Sequence, residues 1–261
     1  MSDNHSTRQP SDSLKSPRTV EMLADRATER TDSVSCQIRE IGADDREELA
    51  KVAKLHMEFL SFGPLAGFGE TFVRQIGYAA PMKDGRLRVA LYEVDGQTAG
   101  YIAFTDKALE FQTRTIRDHW SSVAWLLARY FLRHPHRVGG LFRAAKASTS
   151  HREESRVADS LCGEVAALVV RPDYCTADFY RRARVRISEE LIRYAALCLK
   201  QAGMRKLRTF VDADNRPVLM VYNRFGARFE NLQYGGVPTV RVSLDLDHAL
   251  PELSRTTVRR T

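Results

Sequence analysis

From residue 36 onward the chain switches repeatedly between a hydrophobic period of two and one of three to four, and the order of these stretches predicts an alternation of strands and helices. Residues 37–41 suit a first strand. Asp44 then stands ahead of Leu49, Val52, Ala53, Leu55, His56 and Phe59, a capping residue before an apolar stripe at helical spacing. Residues 62–68 hold Gly63, Pro64 and Gly67 and predict a turn-rich loop at a substrate mouth, after which Phe72, Ile76 and Tyr78 resume helical spacing. Residues 88–94 and 99–105 are strand-like and are joined by Asp95-Gly96-Gln97-Thr98, whose Asp-Gly pair marks a tight turn and hence an antiparallel hairpin.

A long basic insertion follows, residues 106–160. In it Trp120, Val123, Trp125, Leu126, Leu127, Tyr130, Phe131 and Leu132 interleave with Arg117, Arg129 and Arg133 until His134-Pro135 stops the helix. The apolar run is too short to span a bilayer. The stretch 114–133 therefore reads either as a helix on the core or against a second copy of the chain, or as one lying on an anionic membrane surface. Beyond it, residues 165–170 form a continuous apolar strand, 188–202 an amphipathic helix ending at Gly203, 207–211 a strand, and 217–225 a short helix ending at Gly226. Residues 227–232 and 239–244 supply a last pair of strands around Gly235-Gly236.

Composition narrows this to one domain, residues 36–245, with a polar, unpatterned leader over 1–35 and a basic tail over 246–261. No apolar stretch near the N-terminus resembles a signal segment, so the cytoplasm is the expected compartment. Cys36, Cys162, Cys175 and Cys198 form no C-x-x-C pair and the histidines show no ligand spacing, which speaks against a metal site or a disulfide framework. The net charge of +7 favours anionic partners. Its distribution adds to this: residues 106–160 carry ten Lys and Arg against six Asp and Glu, and residues 171–193 six Arg against four acids. No helix-turn-helix, zinc or RNP pattern accompanies these cations, so nucleic acid is the least favoured partner.

The most specific signal is the run from Asn215 through Pro217, Val218 and Tyr222 to Gly226. It resembles the N-x-x-A-x-x-x-Y-x-x-x-G-F signature of the GCN5-related N-acetyltransferases (GNATs), with Val218 for the usual Ala and Ala227 for the usual Phe. The resemblance extends over about residues 36–245 and implies an α/β fold: a mixed, mostly antiparallel central sheet flanked by helices, here with a helical insertion between the third and fourth strands. It further implies acetyl-CoA as acyl donor, lying between splayed fourth and fifth strands and paired with the backbone at Leu168, Val169 and Val170. The family's phosphate loop, R/Q-x-x-G-x-G/A, is altered: Ala183, Arg186 and Ser188 stand at its signature positions. Arg181, Arg182, Arg184 and Arg186 either replace the missing backbone donors with guanidinium forks or close the site with their bulk, while Ser188 is placed to cap the helix.

By the same resemblance Tyr222 is the candidate acid for the departing thiolate, and Asn215 a hydrogen-bonding partner of the coenzyme arm or simply a helix cap. Glu164, at the start of the fourth strand, is the candidate base, with Glu58, Glu70 and His56 as rivals. The function implied is acyl-CoA-dependent N-acylation of a small amine or amino sugar by direct attack in a ternary complex, without metal; the alternative is a non-catalytic relative that binds an anionic ligand or partner.

Overall fold

The computed structural model describes residues 34–60, 68–108, 111–133, 161–234 and 237–248. Nearly all of the expected leader, mouth loop and tail, and the second half of the basic insertion, lie outside these residues; Ser35, expected in the leader, is bonded to Asp95, its N–H donating to the carboxylate at 2.9 Å. The described elements run β1 (Cys36–Glu40), α1 (Arg46–Phe59), α2 (70–83), β2 (Arg88–Val94), β3 (Gln97–Thr105), α3 (Phe111–Asp118) and α4 (Trp120–Arg133). They continue with β4 (Cys162–Val170), α5 (Ala177–Ala183), α6 (Ile187–Gln201), β5 (Lys206–Asp212), α7 (Arg216–Arg224), β6 (Arg228–Tyr234) and β7 (Val237–Asp245). In α2 the middle segment Val73–Ala79 is wound as π-helix between α-helical ends.

The strands form one sheet in the order β1-β2-β3-β4-β5-β7-β6, antiparallel throughout except for the β4–β5 pair. This is the expected mixed α/β architecture, with α3 and α4 inserted between the third and fourth strands. Alternation of side chains along each strand divides the core into two layers. Ala90, Ile102, Phe104 and Val165 face Leu191, Ile192 and Leu199 of α6 and Tyr222 of α7. Leu91, Tyr101, Ala103 and Val169 face Leu49, Val52 and Ala53 of α1. Among the described residues, no helix is long and apolar enough to cross a membrane.

Several boundaries differ from expectation for local reasons. Asp45, not Asp44, precedes α1, and its carboxylate accepts from the Gly42 N–H at 2.7 Å instead of capping the helix. The hairpin turn needs only Asp95 and Gly96, both with positive φ (49° and 75°), so Gln97 and Thr98 already belong to β3. Helix α6 starts at Ile187 after Arg186, with no side-chain cap, which places Ser188 inside the first turn and not at its cap. The segment expected to be tail begins with a fully buried Leu246 whose N–H donates to the Arg205 carbonyl at 2.9 Å.

The feature that organises the site is where β4 and β5 part. Their parallel pairing covers only Cys162↔Lys206, Gly163↔Leu207 and Glu164↔Arg208. On its other edge β4 stays paired with β3 as far as Val170↔Gly100, with an irregularity that leaves Ala166 out of the register between Val165 and Ala167. A Cβ at Gly100 would lie 2.4 Å from the Val169 carbonyl oxygen, so only glycine lets β3 hold β4 this closely.

Candidate active site

A strand parted from one neighbour presents a row of unpaired backbone groups, and the register decides which ones. The Arg171 N–H donates to the Ala99 carbonyl at 2.9 Å, so Tyr101↔Val169 is likewise a hydrogen-bonded pair and the intervening Gly100↔Val170 is not. The peptide groups of Leu168 and Val170 consequently point into the gap, whereas those of Val169 are used by β3. This corrects the expectation that Leu168, Val169 and Val170 are equivalent. Val169 contributes a side-chain wall instead.

The gap opens into a cleft of about 250 Å³ lined by Phe59 and Leu60 at the end of α1, Leu168, Val169 and Val170 of β4, Cys175, Ser188, and Asn215, Pro217, Val218 and Val221 around the start of α7. Of the residues singled out in the sequence, Leu168, Val169, Val170, Ser188 and Asn215 therefore meet in one place, although their chain positions lie far apart. Asn215 is also the N-cap of α7, its side-chain oxygen accepting from the Val218 N–H at 3.4 Å. Partial burial pushes the Cys175 thiol up, away from the thiolate form a nucleophile needs.

Where the strands part, side chains close the end of the gap. Thr209 donates its hydroxyl to the Val165 carbonyl at 2.9 Å, replacing the ladder bond lost at the divergence. Tyr222 belongs to the same layer of the core; its ring is buried among apolar side chains and its hydroxyl makes no hydrogen bond. Burial holds the phenol well above the ordinary tyrosine range, with the adjacent Thr209 hydroxyl pulling weakly the other way without the geometry of a full hydrogen bond. Tyr222 is thus a protonated donor without an acceptor.

Glu164 occupies a different environment from the one expected of a base at a cleft mouth. It forms the last β4–β5 rung with Arg208, whose Nε donates to its carboxylate at 2.9 Å, and both side chains are nearly buried. Because Val165 faces α6, Glu164 projects from the opposite face of the sheet to Tyr222. Burial raises the Glu164 pKa, and Arg208 opposes the shift. The carboxylate already has a cationic partner, which makes it a clasp at the closed end of the gap. Thr209 and Arg208 escaped the sequence reading, although a Thr between the inward positions Leu207 and Val211 is the kind of interruption that marks a needed polar contact.

The arginine-rich loop stands beside the cleft rather than in it. Arg184 is exposed and left-handed (φ 56°), closing α5 through its N–H to the Tyr180 carbonyl at 2.8 Å. Arg186 lies over the Tyr180 ring, 4.9 Å from its centroid, and 3.6 Å from the Glu189 carboxylate. Arg181 is paired with Asp178. Neither Arg184 nor Arg186 lines the cleft, so their bulk does not close it. The first turn of α6 carries two acids: Glu190 turns inward to Arg193, and Glu189 is held by Arg224 at 2.5 Å. They share the electropositive end of the helix with any incoming anion.

Of the rival bases, His56 is buried behind the cleft wall, one turn before Leu60. Its Nδ1 lies 2.7 Å from the Tyr78 hydroxyl and 3.2 Å from that of Tyr101, and the two hydroxyls are 2.8 Å apart. Burial pushes the imidazole down to about 4. Between pH 6.5 and 4 the unfolded chain therefore binds a proton that the native chain refuses; native stability is complete above this window and declines as pH falls through it, by up to ~3 kcal/mol. His56→Gln is expected to flatten the fall of the urea midpoint between pH 7 and pH 4, and equal slopes in variant and parent would show that His56 contributes nothing to it.

No family model matches the sequence, and no curated protein does. Solved structures do match. An N-acetyltransferase from Staphylococcus aureus superposes with a TM-score of 0.50 at 13% identity, covering 81% of this chain and 99% of the other. An aminoglycoside acetyltransferase in complex with coenzyme A gives 0.50 at 12% identity over 85% and 100%, and an uncharacterized protein from Bacillus halodurans 0.52 at 8% over 86% and 91%. The fold is that of the GNAT acetyltransferases. On this frame the parted strand β4 and the starts of α6 and α7 lie around one cleft, Tyr222 is buried in the core and does not line it, and the departures from the resembled signature are local: Val218 in the cleft wall and the arginine loop beside it.

Proposed function

We propose that the chain is an acyl-CoA-dependent N-acyltransferase that passes an acetyl group to the amine of a small molecule or amino sugar by direct attack within a ternary complex. The observation that carries this is the buried, unpartnered Tyr222 hydroxyl beside the point where β4 leaves β5. A buried polar group without a partner is uncommon in a native fold and points to a ligand atom that completes it. The free peptide groups of Leu168 and Val170 fit an extended pantetheine arm as an added strand would, and the apolar wall of Phe59, Leu60, Val169 and Val221 excludes water from it. The N–H groups of Ile187, Ser188 and Glu189, which have no partner one turn earlier in α6, suit a phosphate, with Arg184 and Arg186 within the adjoining loop. The donor supplies an acyl thioester; the protein's part is to orient it, to offer a backbone N–H to its oxygen, and to hold a proton on Tyr222 for the departing sulfur.

The likeness to an aminoglycoside acetyltransferase supports an amino sugar as the acceptor class, alongside small amines. A non-catalytic binding role is favoured by one observation, the occupation of the start of α6 by Glu189 and its arginine partners. Calorimetric titration of the full chain with acetyl-CoA, desulfo-CoA and 3′-dephospho-CoA separates the readings. Saturable acetyl-CoA binding, weakened by about tenfold without the 3′-phosphate, is expected if the arginine loop meets that group; absence of binding by all three ligands would overturn the acyltransferase reading.

A further inference from the structure

Three polar side chains from distant parts of the chain meet behind the α1 wall of the cleft, and one of their atoms is left over. His56 Nδ1 touches the hydroxyls of both Tyr78 and Tyr101, which also touch each other. Counting protons assigns the tautomer. With Nδ1 as acceptor, Tyr78 donates to it, Tyr101 donates to Tyr78, and both hydroxyl protons are placed. With a proton on Nδ1, one of the two buried hydroxyls would have nothing to donate to, since among the described residues neither has a partner outside this ring. The proton therefore belongs on Nε2, and that atom is buried without a hydrogen-bond partner in a residue only 6% exposed. Burial pushes the imidazole down to about 4, so near pH 7 it is neutral and its Nε2–H is a fixed donor, not a base. Tyr78 is held in the ring by the π-helical segment Val73–Ala79, an irregularity kept mostly at functional sites.

The surroundings say what such a donor meets. Phe59 and Leu60, three and four residues after His56 and so on its side of α1, line the cleft, as does Val169, the register partner of Tyr101. A coenzyme arm laid against the free edge of β4 occupies the plane of the sheet. One face beside it is covered by α6 and α7 with the Tyr222 phenol, the other by α1. An amine that attacks the acyl carbon from the α1 face brings its neighbouring atoms against Phe59, Leu60 and the His56 ring behind them. A single N–H behind that apolar wall discriminates by chemistry: an oxygen satisfies it, and a hydrocarbon leaves it unmet.

We propose that His56 selects the acyl acceptor, its Nε2–H donating to a hydroxyl or ring oxygen carried beside the amine, as in an amino sugar. The inference rests on the acyltransferase reading and deepens it.

The full chain, isotope-labelled at histidine nitrogen and loaded with coenzyme A, is titrated with glucosamine and with cyclohexylamine, a six-membered ring amine without oxygens. His56 is assigned by its absence from the spectrum of His56→Gln. The Nε2–H tautomer is expected in the free protein, with a shift of that resonance on adding glucosamine and none with cyclohexylamine. In initial rates at saturating acetyl-CoA, His56→Leu should raise the KM for glucosamine by about tenfold. His56→Gln, whose amide can present an N–H in the same place, should raise it less, and calorimetric affinity for acetyl-CoA should stay the same in both variants. A proton on Nδ1, a resonance unmoved by glucosamine, or an equal response to cyclohexylamine overturns the proposal. If acetyl-CoA binds and the resonance stays still, this inference alone fails; if no coenzyme ligand binds, the acyltransferase reading fails and takes this inference with it.

Discussion

Tyr222→Phe is expected to lower turnover with acetyl-CoA by about a hundredfold while coenzyme affinity changes by less than about twofold. The substitution removes one oxygen and keeps the ring that packs beneath β5. That oxygen has no hydrogen bond in the folded protein, so its loss leaves no partner stranded, and the variant should be as stable as the parent or slightly more so. Its value lies wholly in what it donates to a departing thiolate. Burial that raises the phenol pKa also penalises the thiolate, so the proton can still move between two groups in the same dry surroundings. Initial rates from free-thiol release, set beside calorimetric affinity, make the measurement. Unchanged turnover would remove Tyr222 as the acid. Loss of coenzyme binding together with turnover would instead make it a positioning residue.

Arg208→Met should destabilise the protein by about 3–5 kcal/mol, because it leaves the Glu164 carboxylate buried without its cation. The sign of the pH dependence checks the cause. Without Arg208, burial alone acts on Glu164 and its pKa rises further; the native chain then keeps a proton that the unfolded chain releases, so stability is greatest below the ordinary carboxylate pKa and is lost as pH rises through the window above it. Urea midpoints near pH 5 and pH 8 should differ more for the variant than for the parent. Adding Glu164→Leu should recover much of the loss, since an apolar pair of similar volume needs no desolvation to be repaid. Glu164→Gln separates clasp from base: as a clasp it lowers stability and leaves turnover per folded molecule intact, and as a base it abolishes turnover at conditions where the variant is fully folded.

Much of the architecture could be seen in the chain before any coordinates. The Asp95-Gly96 turn, the apolar stripe of α6 and the spacing of Asn215, Tyr222 and Gly226 are short-range patterns, and each depends on backbone chemistry within a few residues. They were sufficient to place β2 with β3, to order β4, α6, β5 and α7, and to bring the GNAT resemblance into view. They also brought Leu168, Ser188 and Asn215 into a common cleft, because that follows from the order of elements.

Other features depended on contacts between distant parts of the chain. The Glu164–Arg208 pair joins residues 44 apart, and His56 meets Tyr101 across 45. Nothing local to Glu164 distinguishes a base at a mouth from a clasp at a closed end; the partner decides it. Likewise the face on which a backbone N–H emerges depends on strand register, which is why Val169 is spent on β3 while Leu168 and Val170 are free. The sequence by itself determined the elements, their order and the residue types available for chemistry, since period and turn preference act over a few bonds. Only the tertiary structure decided where the strands part, which arginines stand outside the cleft, and that the buried Tyr222 oxygen is left without a partner, because these follow from long-range packing and from the competition of each polar group for a neighbour.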